Sequence, residues 1–111
     1  MSSVRVFFPR FDRAELTRRL MERMAALNSA LPLLRVVLFG SYAQGNYTVA
    51  SDVDLLVVYR GRPREDAFAI VKKVLAIPSL EPHVYSEDEF EPARSHIQRM
   101  TEGGIVLFLQ I

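Results

Sequence analysis

The sequence predicts a single α/β or α+β domain that spans residues 1–111. Amphipathic stretches with helical periodicity alternate along the chain with short β-branched runs, and turns that contain proline or glycine separate them. Half of the residues are hydrophobic, which is enough to build a core and argues against disorder. A chain of 111 residues is of the usual size for one domain.

The N-terminal part predicts an extended arm followed by a helix. The arm is Val4 to Phe8, and Pro9 ends it. Asp12 and Glu15 have the spacing of a capping box, so we expect a helix that runs from there to about Ser29. Its buried face is formed by apolar residues three or four positions apart: Leu16, Leu20, Met24 and Leu27.

The C-terminal half predicts two strands and two helical segments. Glu65 to Ala76 is expected to be a helix, and Leu80 to Tyr85 a short strand. Glu87 to Arg99 predicts an acidic turn and a helix, and Ile105 to Ile111 a final strand. The inward face of the helix before Ala76 is predicted to comprise Phe68, Val71 and Leu75.

A glycine-serine turn follows an apolar strand near the middle of the chain. Arg35 to Phe39 is β-branched and apolar, which predicts a buried strand that ends at Gly40 and Ser41. Ser41 to Gly45 is expected to start a short helical turn, whose free N–H groups and positive dipole end favour an anion. Because the Ser41 hydroxyl can also bond a phosphate oxygen, this turn is predicted to hold phosphate.

Two carboxylates one residue apart enter the next strand. Asp52 and Asp54 precede the apolar run Leu55 to Val58, which predicts a central strand that holds them rigidly. Residues i and i+2 of a strand lie on one face, about 6 to 7 Å apart, so both carboxylates point the same way. A cation would relieve their repulsion, and hard oxygen ligands suit Mg²⁺ or Mn²⁺. Alone, either this pair or the turn would usually be structural.

Together the two motifs resemble a known signature. The order strand, Gly-Ser, Gly, Ser-Asp-x-Asp and apolar strand over Val36 to Val58 resembles the DNA polymerase β-like nucleotidyltransferase superfamily. It is most similar to the minimal nucleotidyltransferases (MNT), which are single catalytic domains often paired with a helical HEPN-type partner. The resemblance implies a palm-like domain with a mixed β-sheet packed by helices. The order of elements and the segment Glu102 to Leu107 also look familiar.

The resemblance also implies a reaction and a partner. An acceptor hydroxyl would attack the α-phosphate of ATP or another nucleoside triphosphate and release pyrophosphate. Asp52 and Asp54 would hold the metals, and Gly40 and Ser41 the β and γ phosphates. Minimal nucleotidyltransferases are often antitoxins that transfer AMP to, or sequester, a HEPN-type ribonuclease, so we expect the acceptor to belong to a partner protein.

A third carboxylate would complete a two-metal site and serve as the base for the attacking hydroxyl. In the family it comes from the strand after the second helix, where Glu81 is the acid present, although the family residue is usually aspartate. The alternative is an edge-strand glutamate that faces water beside Pro82. His83 could share the face of Glu81, but a single histidine on a short strand is more often structural or exposed.

Composition narrows the classes of partner and compartment. The net charge of +1 does not favour direct nucleic-acid binding. Arg60, Arg62 and Arg64 form a basic cluster that is either a solvated face or a contact for a triphosphate tail or an acidic partner. There is no cysteine, and neither a leader nor an apolar run of membrane-spanning length is visible, so we expect a cytoplasmic protein.

Two other functions remain open from the sequence. The domain could be a binding module that neutralises a partner without catalysis, or a sensor that binds a triphosphate without turnover. The segment Ile105 to Leu109 is apolar on both faces and is predicted to be an edge strand. Its edge would suit the partner protein or a second copy of the chain, and burial under a helix is the structural alternative.

Overall fold

The computed structural model describes residues 11–110, in which helices and strands alternate. The predicted arm Val4 to Phe8 and the last residue, Ile111, lie outside the described residues. The elements in order are α1 (Arg13–Ala30), β1 (Leu33–Phe39), α2 (Ser41–Gln44), β2 (Val53–Tyr59), α3 (Ala67–Leu75), β3 (Leu80–Ser86), α4 (Glu87–Phe90), α5 (Arg94–Met100) and β4 (Ile105–Leu109).

The four strands form one mixed sheet, which confirms the predicted fold class. Their order is β3-β2-β1-β4. Strand β1 runs antiparallel to both β2 and β4, whereas β2 and β3 are parallel. The end of β1 therefore meets the starts of β2 and β3 at one end of the sheet. In the register of the strands, Phe39 pairs with Asp54 and Asp54 pairs with Glu81.

The two faces of the sheet are covered unequally. Helices α1 and α3 cover one face, and their buried side chains pack with strand residues in the larger apolar cluster. On the other face Phe90 and Ile97, from α4 and α5, pack against four strand residues, Val37, Phe39, Leu56 and Val58. Asp54, Leu56 and Val58 are two residues apart along β2 and therefore lie on the same face of the sheet. The Asp54 side chain is thus on this second, thinner face.

The predicted cap and buried face of α1 are confirmed, whereas one predicted buried residue of α3 is wrong. The Asp12 carboxylate accepts a hydrogen bond of 2.7 Å from the Glu15 N–H, and all four predicted apolar residues of α1 are buried. The prediction that Phe68 faces inward is wrong, because its side chain is 51% exposed. Ala67 takes its place in the buried stripe with Val71 and Leu75, at a regular spacing of four residues.

Helix length bears on membrane insertion as well. Within residues 11–110, no helix is both long and apolar enough to cross a membrane.

The entry into β4 depends on the absence of a side chain at Gly104. A Cβ there would lie 2.7 Å from Cγ1 of Val37 and 2.9 Å from the carbonyl oxygens of Leu38 and Thr101. We expect Gly104→Ala to lower the free energy of unfolding by about 1–3 kcal/mol through overpacking. Urea denaturation measures the loss.

Gly103 provides the matched control for this substitution. It has a φ of +76°, but a Cβ added there would meet nothing within 4 Å, so the position can accept an asparagine, which enters the left-handed region readily. Gly103→Asn should cost less than Gly104→Ala. Equal losses at the two positions would contradict the overpacking argument.

Candidate active site

The glycine-serine turn has the backbone that the sequence predicted. Gly40 adopts φ +74° and ψ −151°, a conformation essentially restricted to glycine. The short helix α2 follows at once, with a hydrogen bond of 3.1 Å from the Gln44 N–H to the Gly40 carbonyl. Gly45 ends it in the left-handed conformation, and its N–H donates to the Ser41 carbonyl at 2.9 Å.

Contacts to α1 hold this turn in place. Nη1 of Arg13 donates to the Ala43 carbonyl at 2.9 Å, and the Arg13 N–H donates to the Tyr47 hydroxyl at 3.1 Å. The Tyr47 ring is stacked on Tyr42, with centroids 4.4 Å apart, and burial raises the pKa of the Tyr42 hydroxyl. No local pattern in the sequence pointed to Arg13, because its contacts are with residues about 30 positions away.

The Asp54 side chain fills the space beside Gly40. A Cβ on Gly40 would overlap Oδ2 of Asp54 and crowd its Cγ, at 3.1 Å. The side chain of Asp54 is 28% exposed. Gly40 therefore has two reasons to be glycine, its backbone conformation and its contact with this carboxylate.

On its other side Asp54 faces His83. Nε2 of His83 lies 3.7 Å from Oδ1 of Asp54, within ion-pair range of the carboxylate when the ring is protonated but too far for a good hydrogen bond. The ring of His83 also packs against that of Phe39, with centroids 5.1 Å apart and planes inclined by 60°. From the sequence, His83 could be placed only on the same face as Glu81. The parallel register that brings it to Asp54 was not predictable from spacing.

The other two predicted acids flank Asp54 and are more exposed. Asp52 lies just before β2, and Glu81 is the partner of Asp54 in the parallel pairing with β3. Strand β3 is at the edge of the sheet, so Glu81 is an edge-strand residue as well as a neighbour of Asp54. Within residues 11–110, no three carboxylates or histidines are grouped closely enough to form a ready metal centre. Metal binding by Asp52, Asp54 and Glu81 stays a prediction.

The electrostatics of the site favour a cation. Burial raises the pKa of Asp54 above its ordinary value, and the charges of Asp52 and Glu81 raise it further, while His83 partly offsets these effects. Negative charge on Asp54 is thus unfavourable unless positive charge is near. A divalent ion bound by oxygen ligands would remove this cost, so the donor set fits Mg²⁺ or Mn²⁺.

The basic cluster of Arg60, Arg62 and Arg64 lies away from Asp54. Arg60 follows the end of β2 that is opposite Asp54, about 20 Å away at the usual rise per residue, so this cluster does not reach a triphosphate at the same site. Arg64 is paired with Asp66, with Nη2 and Oδ2 2.9 Å apart. Lys72 is exposed on α3, and its Nζ donates to the Leu80 carbonyl at 3.0 Å, which ties α3 to the start of β3.

A mixed sheet with a glycine turn against a strand-borne carboxylate is the architecture of a nucleotidyl-transfer domain. Residues 17–107 match the model of the nucleotidyltransferase domain family, and this chain belongs to that family. No curated protein matches the sequence.

Solved structures share the fold at low identity. A protein from Sulfolobus solfataricus, described as a candidate nucleotidyltransferase, has a TM-score of 0.63 at 20% identity, over 89% of this chain and 85% of its own. A toxin–antitoxin complex with AMP-PNP gives 0.56 at 18% identity, over 81% and 73%. A complex of the tri-AMPylated Shewanella oneidensis HEPN toxin with its MNT antitoxin gives 0.56 at 15% identity, over 88% and 73%.

The contact between Gly40 and Asp54 predicts energetic coupling between the two positions. Gly40→Ala should destabilise the protein by at least about 1–2 kcal/mol, because alanine is strained at this φ and its Cβ meets the carboxylate. In an Asp54→Ala background the carboxylate is gone and only the backbone strain remains. A double-mutant cycle by urea denaturation should give a coupling of about 1 kcal/mol. Strictly additive losses would show that the two groups do not compete for space.

The raised pKa of Asp54 predicts how stability depends on pH. A group whose pKa is higher in the folded protein stabilises it below the ordinary aspartate pKa, and this contribution is lost as pH rises through the raised value. At neutral pH without metal, Asp54→Asn should therefore increase the melting temperature, and the increase should vanish in acid. Asp66, whose pKa is lowered by its bond to Arg64, is the control of opposite sign. A melting temperature that falls in Asp54→Asn at neutral pH would contradict the assignment.

Proposed function

We propose that this protein is a metal-dependent nucleotidyltransferase that moves AMP from ATP to a hydroxyl of a partner protein, as the antitoxin of a HEPN-type pair in the cytoplasm. The observation that carries the proposal is the contact of the Gly40 backbone with the Asp54 carboxylate, where β1 ends and β2 begins. Membership of the nucleotidyltransferase domain family supports the reaction class. The AMPylated toxin in the Shewanella complex supports AMP and the type of acceptor.

In the proposed site the acids hold the metal and the glycine-serine turn holds the phosphates, and Glu81 also serves as the base. Asp52 and Asp54, with Glu81 as the third acid, would hold Mg²⁺ or Mn²⁺. The bound metal would neutralise phosphate charge and favour ionisation of the acceptor hydroxyl. Gly40 and Ser41 would hold the β and γ phosphates, with the Ser41 hydroxyl donating to a phosphate oxygen.

The transfer itself is an in-line displacement at the α-phosphorus. The acceptor oxygen forms a bond to that phosphorus while the bond to the β-phosphate oxygen breaks, so that pyrophosphate leaves. Glu81 is the exposed carboxylate on the edge strand next to Asp54, and we assign it to take the proton of the acceptor hydroxyl. A base on the sheet edge is accessible to a hydroxyl that a second protein presents.

Strand β4 supports a protein as the acceptor. It forms the edge of the sheet opposite β3, which leaves one side of its backbone without a strand partner among residues 11–110. Val106 and Leu109 are 57% and 52% exposed, so the described part of the chain does not bury them under a helix. An apolar edge strand of this kind pairs readily with another chain, either the HEPN-type partner or a second copy.

One observation favours a second candidate, a binding module with the same fold. The carboxylates around Asp54 do not form a ready group of three ligands in the described residues, and the third acid is glutamate instead of the usual aspartate. A domain of this kind could neutralise its partner by binding alone. A nucleotide sensor without turnover would differ from it only by its affinity for a triphosphate.

Transfer of AMP in the presence of the partner tests the proposal. The protein alone should show little turnover, whereas the protein with the product of its neighbouring gene, ATP and Mg²⁺ or Mn²⁺ should add adenylate to the partner, on a tyrosine. Mass spectrometry detects the added mass. Asp54→Asn should abolish transfer while the complex still forms, because the substitution removes a metal ligand without changing the docking surface.

Asp66→Asn is the control for this experiment, since Asp66 is exposed and lies on the surface before α3, away from the site. It should transfer AMP like the wild type. A stable complex with no adenylate under either metal would refute catalysis and support the binding module.

A further inference from the structure

We propose that His83 is a ligand of the metal ion, and that it gives the site a preference for Mn²⁺ over Mg²⁺. This inference rests on the proposed function, because the ion in question is the one that Asp54 would hold for nucleotidyl transfer. It adds a nitrogen donor to a site that the sequence predicted as carboxylates alone.

The geometry of the pair suits two ligands of one ion. Nε2 of His83 and Oδ1 of Asp54 are 3.7 Å apart. Neighbouring ligands of an octahedral ion with bonds of about 2.1 Å are about 3 Å apart, so a small side-chain rotation brings both atoms into range. The same separation is too long for a good hydrogen bond, so neither side chain gives up a strong hydrogen bond to the other when it binds an ion.

The two oxygens of Asp54 face different groups. Oδ2 lies against Gly40 and the phosphate turn, whereas Oδ1 faces the imidazole. An ion held at Oδ1 would therefore lie between Asp54 and His83, on the open side of the second sheet face. The charges of Asp52 and Glu81 act on Asp54, but within residues 11–110 their carboxylates are not grouped closely enough with Asp54 and His83 to make a ready set of three ligands.

The surroundings of His83 keep its ring in position. The parallel register of β2 and β3 places His83 opposite Leu56, two residues after the pairing of Asp54 with Glu81. The Phe39 ring packs against the imidazole, and the His83 side chain remains 34% exposed. The ring is thus supported on one side and open to an ion on the other.

The chemistry of the donors then determines the metal. Mg²⁺ is a hard ion that prefers oxygen and binds imidazole poorly, whereas Mn²⁺, although the weakest binder among the first-row divalent ions, forms a stronger bond to imidazole nitrogen than Mg²⁺ does. A site made of carboxylates alone would discriminate less between these two ions. With His83 as a ligand, Mn²⁺ gains a bond that Mg²⁺ does not.

Metal binding by two histidine variants tests the proposal without any activity measurement. The chain has two histidines, and the second, His96, is exposed on α5, so His96→Gln is the matched control for His83→Gln. Mn²⁺ alone is titrated by electron paramagnetic resonance, and Mg²⁺ is measured by competition. We expect His83→Gln to lower Mn²⁺ affinity about tenfold, because even the loss of a residue that only hydrogen-bonds to a metal ligand has an effect of this size. Mg²⁺ affinity should stay within about twofold.

Pulsed electron paramagnetic resonance of the Mn²⁺ complex gives a direct signature. The wild type and His96→Gln should show the nitrogen coupling of a coordinated imidazole, and His83→Gln should lack it. Absence of that coupling in the wild type, or an unchanged ratio of Mn²⁺ to Mg²⁺ affinity in His83→Gln, would overturn the role of His83.

Asp54→Asn separates this inference from the proposed function. If it abolishes the binding of both ions while His83→Gln changes neither, only the histidine ligand is refuted. If it leaves both affinities unchanged, the metal site itself is refuted, and the proposed function with it. Urea denaturation without metal, equal for the two histidine variants, excludes unfolding as the cause of any loss.

Discussion

A half-buried carboxylate held between a glycine backbone and a histidine is the constraint on which the rest of this site depends. Asp54 lies on a central strand whose following residues are almost all buried, so its position cannot adjust easily. Its Oδ2 takes up the space beside Gly40, and its charge is unfavourable without a cation. Burial and, to a smaller extent, the charges of Asp52 and Glu81 make the ionised form of Asp54 unfavourable, and in the proposed function a bound metal would offset this cost. Folding disfavours the ionised form of Asp54, whereas a bound cation would favour it.

The topology explains why these groups meet. A parallel pair next to an antiparallel pair brings the end of β1 and the starts of β2 and β3 to the same end of the sheet. Helix α3 makes the crossover between the parallel strands, and Lys72 secures it to the start of β3. The site is thus assembled by strand register, and loops contribute little beyond the Gly40 turn.

Much of the fold was predictable because its signals are local. Hydrophobic spacing and a cap at Asp12 predicted α1. The glycine-serine turn predicted the end of β1, and the aspartate pair predicted the start of β2. What was missed depends on tertiary packing. Phe68 satisfies a helical pattern as well as Ala67 does, and only the packing of α3 in the folded chain decides which of the two is buried. The contact of His83 with Asp54 depends on a register that spacing along one strand cannot specify.

The link between Arg13 and the turn has a mechanical consequence. Through its guanidinium and its backbone N–H, this residue connects the first turn of α1 to Ala43 and Tyr47, on either side of Gly45. Helix α1 also supplies much of the larger apolar cluster. A displacement of the turn therefore also acts on α1, the longest helix in the described residues. Amide hydrogen exchange at the start of α1 would therefore report changes in this turn.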